Sequence, residues 1–237
     1  MLKNSQKIEN EFGKFFYTEQ YMKLKNYLFN YRFRKIMIKS AFKEYTSKKS
    51  KKDLALVDIG SGISPVTPYP NKTLFLELER KAVDFMLSKK LNARKGDITK
   101  LPLKNNSVDV IFCSEVLEHV PNYLKGLKEC SRVLKQGGAL ILTVPTHMHY
   151  WKDDDDYVGH IRRFNPDTLK NDIKKSGFGF FSIKSIGSSF ERFLTHLTVK
   201  LARKNKSGLS SNSLTSYFFY IANTVLLFLI YSIFIKQ

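Results

Sequence analysis

The stretch LALVDIGSG, residues 54–62, gives the first indication of the fold, because a short apolar run ends there in two glycines. Its first six residues are apolar except for Asp58, which is typical of a strand buried on both faces of a sheet. Gly60 and Gly62 permit a tight turn in which the backbone approaches a ligand closely. Doubly wound sheets bind ligands at the carboxyl ends of their strands. The stretch predicts such a ligand-binding loop, although a Gly-x-Gly turn alone also suits a plain strand end.

Similar apolar runs farther along the chain predict more buried strands, and segments of helical periodicity separate them. The additional strands are predicted over 73–76, 108–113 and 139–144. The helices are predicted over 80–90, 120–134 and 166–176. Gly137 and Gly138 are read as the end of the second helix. Strands that alternate with helices predict an α/β fold with a doubly wound, mostly parallel sheet. Between the first two strands, Pro65, Pro68 and Pro70 argue against a regular helix.

The overall composition is that of a globular protein with a core. The chain has 237 residues, of which 43% are hydrophobic and 26% charged, so disordered and disulfide-scaffold classes are excluded. Its two cysteines, Cys113 and Cys130, fit a reducing cytosolic setting. The net charge of +19 suits a membrane surface, nucleic acid or a phosphorylated substrate, and equally a lysine-rich solvated surface.

Three segments are predicted from changes of composition along the chain. They are a basic helical segment over 1–52, the ligand-binding domain over 53–190, and a tail over 191–237 in which a basic helix precedes an apolar stretch. Within the first segment, the aromatic-rich part 12–45 predicts one or two amphipathic helices. No signal peptide is recognisable at the N-terminus, so a cytoplasmic location is expected.

The apolar stretch 217–235 contains no charged residue. As a helix it would measure about 28 Å, close to the roughly 30 Å hydrocarbon core of a bilayer. The stretch predicts membrane contact, as a spanning anchor or an interfacial hairpin, with a helix packed on protein as the alternative. Basic residues at 200, 203, 204 and 206 precede it, so the ligand-binding domain is expected on the cytoplasmic side.

Further polar residues stand where the other strands end. Glu77 follows the strand 73–76, where a carboxylate accepts hydrogen bonds from both ribose hydroxyls of a nucleoside, although an acid also suits the start of a helix. Asp97 is placed to accept from an adenine amino group, and Ile98 to pack on the ring. Ser114 and Glu115 follow the strand 108–113. These residues converge on one crevice if the sheet is parallel.

Five segments together resemble the class I S-adenosylmethionine-dependent methyltransferases, most closely the group with the ubiquinone and menaquinone biosynthesis enzymes. They are VDIGSG, the acidic end of the second strand, GDITKLP, VDVIFCSEVLEHV and RVLKQGGALILTVP. The later GHIRRFNP, residues 159–166, is similar to the same group. The resemblance implies a Rossmann-like methyltransferase sheet, with helices before it and the apolar helix after it. It also implies S-adenosyl-L-methionine as cofactor and S-adenosyl-L-homocysteine as product. The cofactor-binding residues it implies are Asp58, Gly60, Ser61, Gly62, Glu77, Leu78, Asp97, Ile98 and Ser114. The chain departs from the family pattern at Ser64, where a third glycine is usual.

Two polar clusters are candidates for the acceptor side. Glu115, Glu118 and His119 have a spacing that suits a general base or a divalent ion, but the same letters also form a structural turn in many relatives, which is the preferred interpretation. The second cluster lies beyond the last strand and comprises His147, His149, Asp153, Asp154, Asp155, Asp156 and His160. It is interpreted as a substrate lid rather than a metal site, with four aspartates typical of a solvated loop. His119 and His147 are the predicted catalytic residues, and no metal is predicted.

The function expected from these features is methyl transfer to a small-molecule or lipid-linked acceptor, such as a quinone precursor or a glycolipid, at the membrane face. A nucleic-acid methyltransferase is disfavoured, because Ser-Glu-Val-Leu at 114–117 stands where amino-methylating nucleic-acid enzymes carry an Asn/Asp-Pro-Pro-aromatic motif. A non-catalytic, membrane-associated scaffold is the remaining alternative, which Ser64 and the proline-rich loop leave open.

Overall fold

The computed structural model describes residues 29–47, 53–179 and 182–184. Of these, 38–47, 53–179 and 182–183 belong to one compact unit, and 29–37 and 184 belong to another. The whole predicted segment 191–237, with its apolar stretch 217–235, lies outside the described residues, as do 1–28 and 48–52 of the predicted segment 1–52. Within the described part of the chain, no helix is both long enough and apolar enough to cross a membrane.

A five-stranded parallel sheet forms the centre of the larger unit. Its strands are β1 (Leu56–Ile59), β2 (Thr73–Glu77), β3 (Ala93–Lys95), β4 (Val108–Ser114) and β5 (Leu134–Thr143). They lie in the order β3-β2-β1-β4-β5, and every neighbouring pair is parallel. From β1, the strands β2 and β3 are added on one side, and β4 and β5 then on the other. The direction in which strands are added therefore reverses between β1 and β4. Ligands of doubly wound sheets bind at this type of reversal, beyond the carboxyl ends of the strands.

Five helices accompany the sheet in the described residues. They are α1 (Phe29–Thr46), α2 (Arg80–Ser88), α3 (Tyr123–Val133), α4 (Asp153–Val158) and α5 (Pro166–Lys175). The side chain of Asn165 accepts hydrogen bonds from the amides of Asp167 and Thr168 at 2.9 and 3.1 Å, and Pro166 occupies the first turn of α5. Capping groups and proline at these positions explain why α5 begins where the sequence predicts.

The core of the larger unit covers both faces of the sheet. Phe112 of β4 is fully buried, and the ring of Phe42 from α1 lies 5.7 Å from it between centroids. On α3, Leu127 and Val133 are equally buried and join a cluster with residues of β1 and β4. The hydroxyl of Tyr45 donates to the carbonyl of Gly137 at 2.9 Å, which ties the end of α1 to β5. The predicted α/β class with a mostly parallel, doubly wound sheet is thereby confirmed.

Two elements differ from the prediction. The edge strand β3 was not predicted, because two of its three residues, Arg94 and Lys95, are exposed and charged, so no apolar run marks it. The strand β5 begins directly after α3, so Gly137 and Gly138 lie inside a strand and do not end a helix. A Cβ on Gly138 would lie 2.8 Å from the carbonyl oxygen of Lys135, which only glycine avoids at this irregular start of the β4–β5 pairing.

The segment between β1 and β2 follows the proline prediction. It contains one short turn of 3-10 helix, Pro70–Lys72, and no α-helix. The hydroxyls of Thr67 and Thr73 are hydrogen-bonded at 3.0 Å, which links this segment to the first residue of β2.

Candidate functional site

The loop after β1 is held tightly by its two glycines. Gly60 and Gly62 have φ angles of +69° and +61°, where a side chain is disfavoured. A Cβ on Gly60 would also lie 2.7 Å from Cγ2 of Val116, which follows β4. The amide of Gly60 donates to the carbonyl of Leu76 at 2.9 Å, so the loop continues the pairing of β1 with β2. The backbone amides that follow are therefore fixed at the end of β2.

Glu77, the last residue of β2, is hydrogen-bonded to this loop. Its side chain is 4% exposed, and Oε1 accepts a hydrogen bond from the amide of Gly62 at 2.9 Å and from the hydroxyl of Ser61 at 3.3 Å. Burial, followed by the nearby Asp58 carboxyl, raises the pKa of Glu77 to about 8, although the two hydrogen bonds act in the opposite direction. Asp58 is also fully buried. Two interacting acidic side chains therefore lie at adjacent strand ends.

The chemistry of these groups fits the predicted cofactor. S-adenosylmethionine carries an ammonium group, a sulfonium centre and two ribose hydroxyls, all of which are cationic or hydrogen-bond donors. A cation beside Asp58 and Glu77 lowers the free-energy cost of ionising both carboxyl groups, and a carboxylate accepts from two hydroxyls at once. The residues at the ends of β1 and β2 would hold such a ligand.

The predicted adenine contacts occupy different environments. Asp97 is exposed beyond β3, and its Oδ1 accepts from the amide and hydroxyl of Thr99 at 2.7 and 2.9 Å, so it also stabilises its own turn. Ile98 is 5% exposed, and its Cγ1 lies 3.3 Å from a Cβ placed on Gly126 of α3. The structure therefore gives Ile98 a packing role, and its contact with adenine stays a prediction. Leu78 is 58% exposed immediately after β2, where it is free to cover a ligand.

Ser114, at the end of β4, belongs to a hydrogen-bond chain that the sequence does not reveal. The hydroxyls of Ser114 and Thr143 lie 2.8 Å apart, and Thr143 donates to Oε1 of Glu115 at 3.0 Å. Thr143 ends β5 and stands opposite Ser114 in the sheet register, so only the strand pairing identifies it. Glu115 itself has a φ of +56°, and its amide donates to the carbonyl of Thr143 at 3.0 Å. Thr143 therefore positions both Ser114, the last residue of β4, and Glu115, which follows it.

Residues from both predicted polar clusters meet in the structure. Glu118, His119 and His160 each offer a ligand atom, and these atoms all lie within 4.8 Å of one another. Glu118 is fully buried in a short turn after β4, whereas the adjacent His119 is exposed. The rings of His119 and His160 have centroids 4.9 Å apart. Glu115 is not a member of this group, although sequence spacing associates it with Glu118 and His119.

The four-aspartate segment is not the solvated loop that its sequence predicts. It begins α4, and Asp155 is 1% exposed. Arg163 donates to both carboxylate oxygens of Asp155, through Nε at 2.9 Å to Oδ1 and through Nη2 at 2.8 Å to Oδ2. Burial alone would raise the pKa of Asp155, but hydrogen bonds from Arg163 and His160 outweigh burial and lower it. Asp155 therefore serves as a buried anion that organises the residues around it.

Each histidine of the group has a fixed partner at Nδ1. His160 Nδ1 lies 2.6 Å from Oδ1 of Asp155, and His119 Nδ1 lies 3.1 Å from the carbonyl oxygen of Gly159. Partial burial of the ring and then the nearby His160 lower the pKa of His119, which favours its neutral form. Both rings are thereby held in one orientation.

The second predicted catalytic residue, His147, lies elsewhere beyond β5. It is exposed with a φ of +62°, and its ring centroid is 5.4 Å from that of His149 and 5.9 Å from that of Tyr150. Its amide donates to the carbonyl of Phe164 at 2.8 Å. The structure does not include His147 in the group formed by His119, so the catalytic roles of these two histidines stay separate predictions.

Residues 57–142 match a protein family described as "Methyltransferase domain". An uncharacterized protein of Methanocaldococcus jannaschii is 37% identical over 100 residues, which are 40% of this chain and 43% of that protein. A probable S-adenosylmethionine-dependent methyltransferase of Mycobacterium tuberculosis is 25% identical over 123 residues, which are 50% of this chain and 45% of that protein. A demethylmenaquinone methyltransferase of Staphylococcus aureus is 46% identical over 46 residues, 19% of each chain. The chain thus spans less than half the length of each of these relatives.

Solved structures share the fold at low sequence identity. A methyltransferase of Thermotoga maritima, described as a possible histamine N-methyltransferase, has a TM-score of 0.55 and 22% identity over 73% of this chain and 81% of its own. Phosphoethanolamine N-methyltransferase 2 of Haemonchus contortus, solved with S-adenosyl-L-methionine, has a TM-score of 0.58 and 17% identity over 82% of this chain and 49% of its own. At these identities the likeness concerns the fold alone.

Proposed function

We propose, from the premise that residues 57–142 form a class I S-adenosylmethionine-dependent methyltransferase domain, that the chain transfers a methyl group to a small-molecule or lipid-linked acceptor. The cofactor of this class, S-adenosylmethionine, is the one that the sequence motifs predict. One observation carries the proposal: the buried Glu77 carboxylate at the end of β2 is held against the Gly62 amide at 2.9 Å, with Asp58 beside it. This arrangement supplies acceptors for ribose hydroxyls, and a bound cation favours ionisation of both carboxyl groups, which then carry negative charge beside it.

The reaction asks little covalent chemistry of the protein. When bound, the cofactor supplies an electrophilic methyl group on a positively charged sulfur. Asp58 and Glu77 would hold that cofactor, which would give up the methyl group and keep the carbon–sulfur electron pair on its sulfur. An acceptor that carries a proton would lose it to a base or to water. The chain's task is to align donor and acceptor and to exclude other nucleophiles. His119 and His147 are the proposed bases for an acceptor that arrives protonated.

The acceptor class rests on two observations. The demethylmenaquinone methyltransferase among the relatives acts, by its name, on a quinone precursor. The apolar stretch 217–235 of this chain suits contact with a membrane in which such acceptors dissolve. Both favour a lipid-linked or apolar acceptor presented at the cytoplasmic face of the membrane.

Calorimetry of the full chain with S-adenosylmethionine and S-adenosylhomocysteine tests the cofactor site. We expect saturable binding that Glu77→Ala weakens by about tenfold or more, because the loss of a charged hydrogen-bonding group costs roughly 1.5–3 kcal/mol. Glu79→Ala is the matched control, since Glu79 is exposed two residues away. Absence of binding by well-folded protein would favour the non-catalytic scaffold.

A transfer assay tests the acceptor class. The chain is incubated with S-adenosylmethionine labelled in the methyl group and, separately, with a membrane lipid extract, a soluble metabolite extract or RNA. Label in the lipid or metabolite fraction supports the proposal, and label in RNA alone contradicts it. The same assay on Gly60→Arg shows whether the label depends on the cofactor loop.

A further inference from the structure

The geometry points to a metal site: Glu118, His119 and His160 form a binding site for one divalent ion of the class that imidazole favours, such as Zn²⁺ or Co²⁺. The site is separate from the residues that fit the cofactor, and the inference concerns binding of the ion alone. It does not rest on methyl transfer by the chain. It also differs from the sequence pattern, because His160 takes the place that spacing along the chain suggests for Glu115.

The separations between the candidate ligands suit coordination better than direct hydrogen bonding. Oε1 of Glu118 and Nε2 of His160 are 3.7 Å apart, beyond the usual length of a hydrogen bond. Two ligands at about 2.1 Å from a tetrahedral ion are about 3.4 Å from each other. All three ligand atoms lie within 4.8 Å of one another. Small side-chain rotations that move each ligand atom by about 1 Å or less therefore bring all three within coordination distance of one ion.

Hydrogen bonds at the opposite side of each ring select the donor nitrogen. The carbonyl oxygen of Gly159 only accepts, so His119 donates from Nδ1 at 3.1 Å. The carboxylate of Asp155 accepts from Nδ1 of His160 at 2.6 Å. In the neutral rings, Nε2 therefore keeps its electron pair for a metal. A carboxylate or carbonyl acceptor on the second nitrogen is the usual support of a metal-binding histidine, since it fixes the tautomer and raises the basicity of the ring.

The supporting residues hold the two halves of the site together. Arg163 binds both oxygens of Asp155, and the amide of Ile161 donates to the carbonyl of Glu118 at 3.0 Å. Arg162 donates to the carbonyl of Val120 at 2.8 Å, and its guanidinium carbon lies 4.8 Å from the ring centroid of Tyr123. These contacts fix 159–163 against the turn after β4 without occupying Nε2 of either histidine. The ligands are therefore positioned before any ion arrives.

One anionic and two neutral ligands leave a divalent ion with a single positive charge. Glu118 is fully buried, and a buried carboxylate is stabilised by a cation in direct contact. The exposed ring of His119 leaves the site open to solvent on one side. Three protein ligands with an open position are typical of zinc sites that also bind water or a substrate group.

Titration of the full chain with Co²⁺, followed by its visible absorption, tests the site, and competition with a chromophoric chelator then gives the Zn²⁺ affinity. We expect one ion per chain and a weakening of about a hundredfold or more in His119→Ala, because loss of an outer-shell partner alone costs about tenfold to a hundredfold and His119 is a direct ligand. Its exposed side chain is removed at little cost to folding. His149→Ala is the control, because His149 is an exposed histidine outside the group.

Asp155→Asn is a second variant, read by the same absorption and by circular dichroism for folding. It keeps the shape of the side chain but weakens the acceptor for His160, so a partial loss of affinity is expected. The inference is overturned if the wild-type chain binds neither ion, or if His119→Ala binds Co²⁺ as tightly as the wild type. Equal losses in His119→Ala and His149→Ala would also overturn it, since they indicate nonspecific binding. Because no cofactor is present, these results are independent of the proposed methyl transfer.

Discussion

Replacing Glu77 by glutamine should make the cofactor-free protein more stable at alkaline pH. The pKa of Glu77 is raised from 4.5 to about 8 in the folded chain, by burial and by Asp58. A carboxyl group whose pKa is raised on folding contributes stability below its unfolded pKa, and that contribution is lost as the pH rises to the folded pKa. Each pH unit in this window corresponds to about 1.4 kcal/mol, so the loss between pH 5 and pH 8 is about 4 kcal/mol.

Glutamine removes this titration while keeping an oxygen that accepts from Gly62 and Ser61. Thermal unfolding of both proteins, followed by circular dichroism from pH 5 to pH 9, measures the difference. We expect similar midpoints near pH 5, and near pH 8 a midpoint roughly 10 °C higher in Glu77→Gln, which corresponds to about 4 kcal/mol in a chain of this size. Glu79→Gln should follow the wild type throughout. A constant difference between wild type and Glu77→Gln across this pH range would show that Glu77 does not titrate with a raised pKa in the folded chain.

Three further substitutions test the packing around the sheet. Gly60→Ala should lower the free energy of unfolding by about 2 kcal/mol, because the φ of Gly60 is +69° and the new Cβ would lie 2.7 Å from Val116. Urea unfolding measures this loss, which should be smaller when Val116 is also replaced by alanine. Tyr45→Phe should cost about 1 kcal/mol in the same assay, since it removes the 2.9 Å hydrogen bond to Gly137, and an unchanged midpoint would contradict that role. Phe112→Ala should cost about 3–5 kcal/mol, because this ring is fully buried, and a loss below about 1 kcal/mol would show that the core is packed differently.

The central strands could be predicted because burial on both faces leaves a continuous apolar record in the sequence. β1, β2 and β4 carry such runs, and their carboxyl ends display Asp58, Glu77 and Ser114 where the parallel order brings them together. The edge strand β3 leaves no comparable record, because its exposed residues need not be apolar. The structural role of Gly137 and Gly138 is also ambiguous in the sequence. Glycine often ends a helix, but it equally permits the close backbone approach found at Gly138 near the start of β5.

The candidate metal site could be predicted only in part. The turn after β4 contains Glu118 and His119 as neighbours, and the sequence alone identifies both as candidate metal ligands. His160 lies about forty residues later, and its approach depends on how the segment after α4 folds back onto that turn. Asp155 carries the same side chain as its three acidic neighbours in the chain, and its burial accompanies contacts with Arg163 and His160 that lie farther along the chain. Long-range pairing of this type has no local signature.

The left-handed backbone of Glu115 has a consequence for protein engineering. Its φ of +56° is unfavourable for a residue with a side chain, by roughly 1–2 kcal/mol relative to glycine. A library selected only for heat resistance would therefore be drawn toward glycine or asparagine at this position. Either substitution would remove the carboxylate that accepts a hydrogen bond from the hydroxyl of Thr143 at the carboxyl ends of the strands. Directed evolution of this scaffold should keep position 115 constant, or score ligand binding together with thermal tolerance.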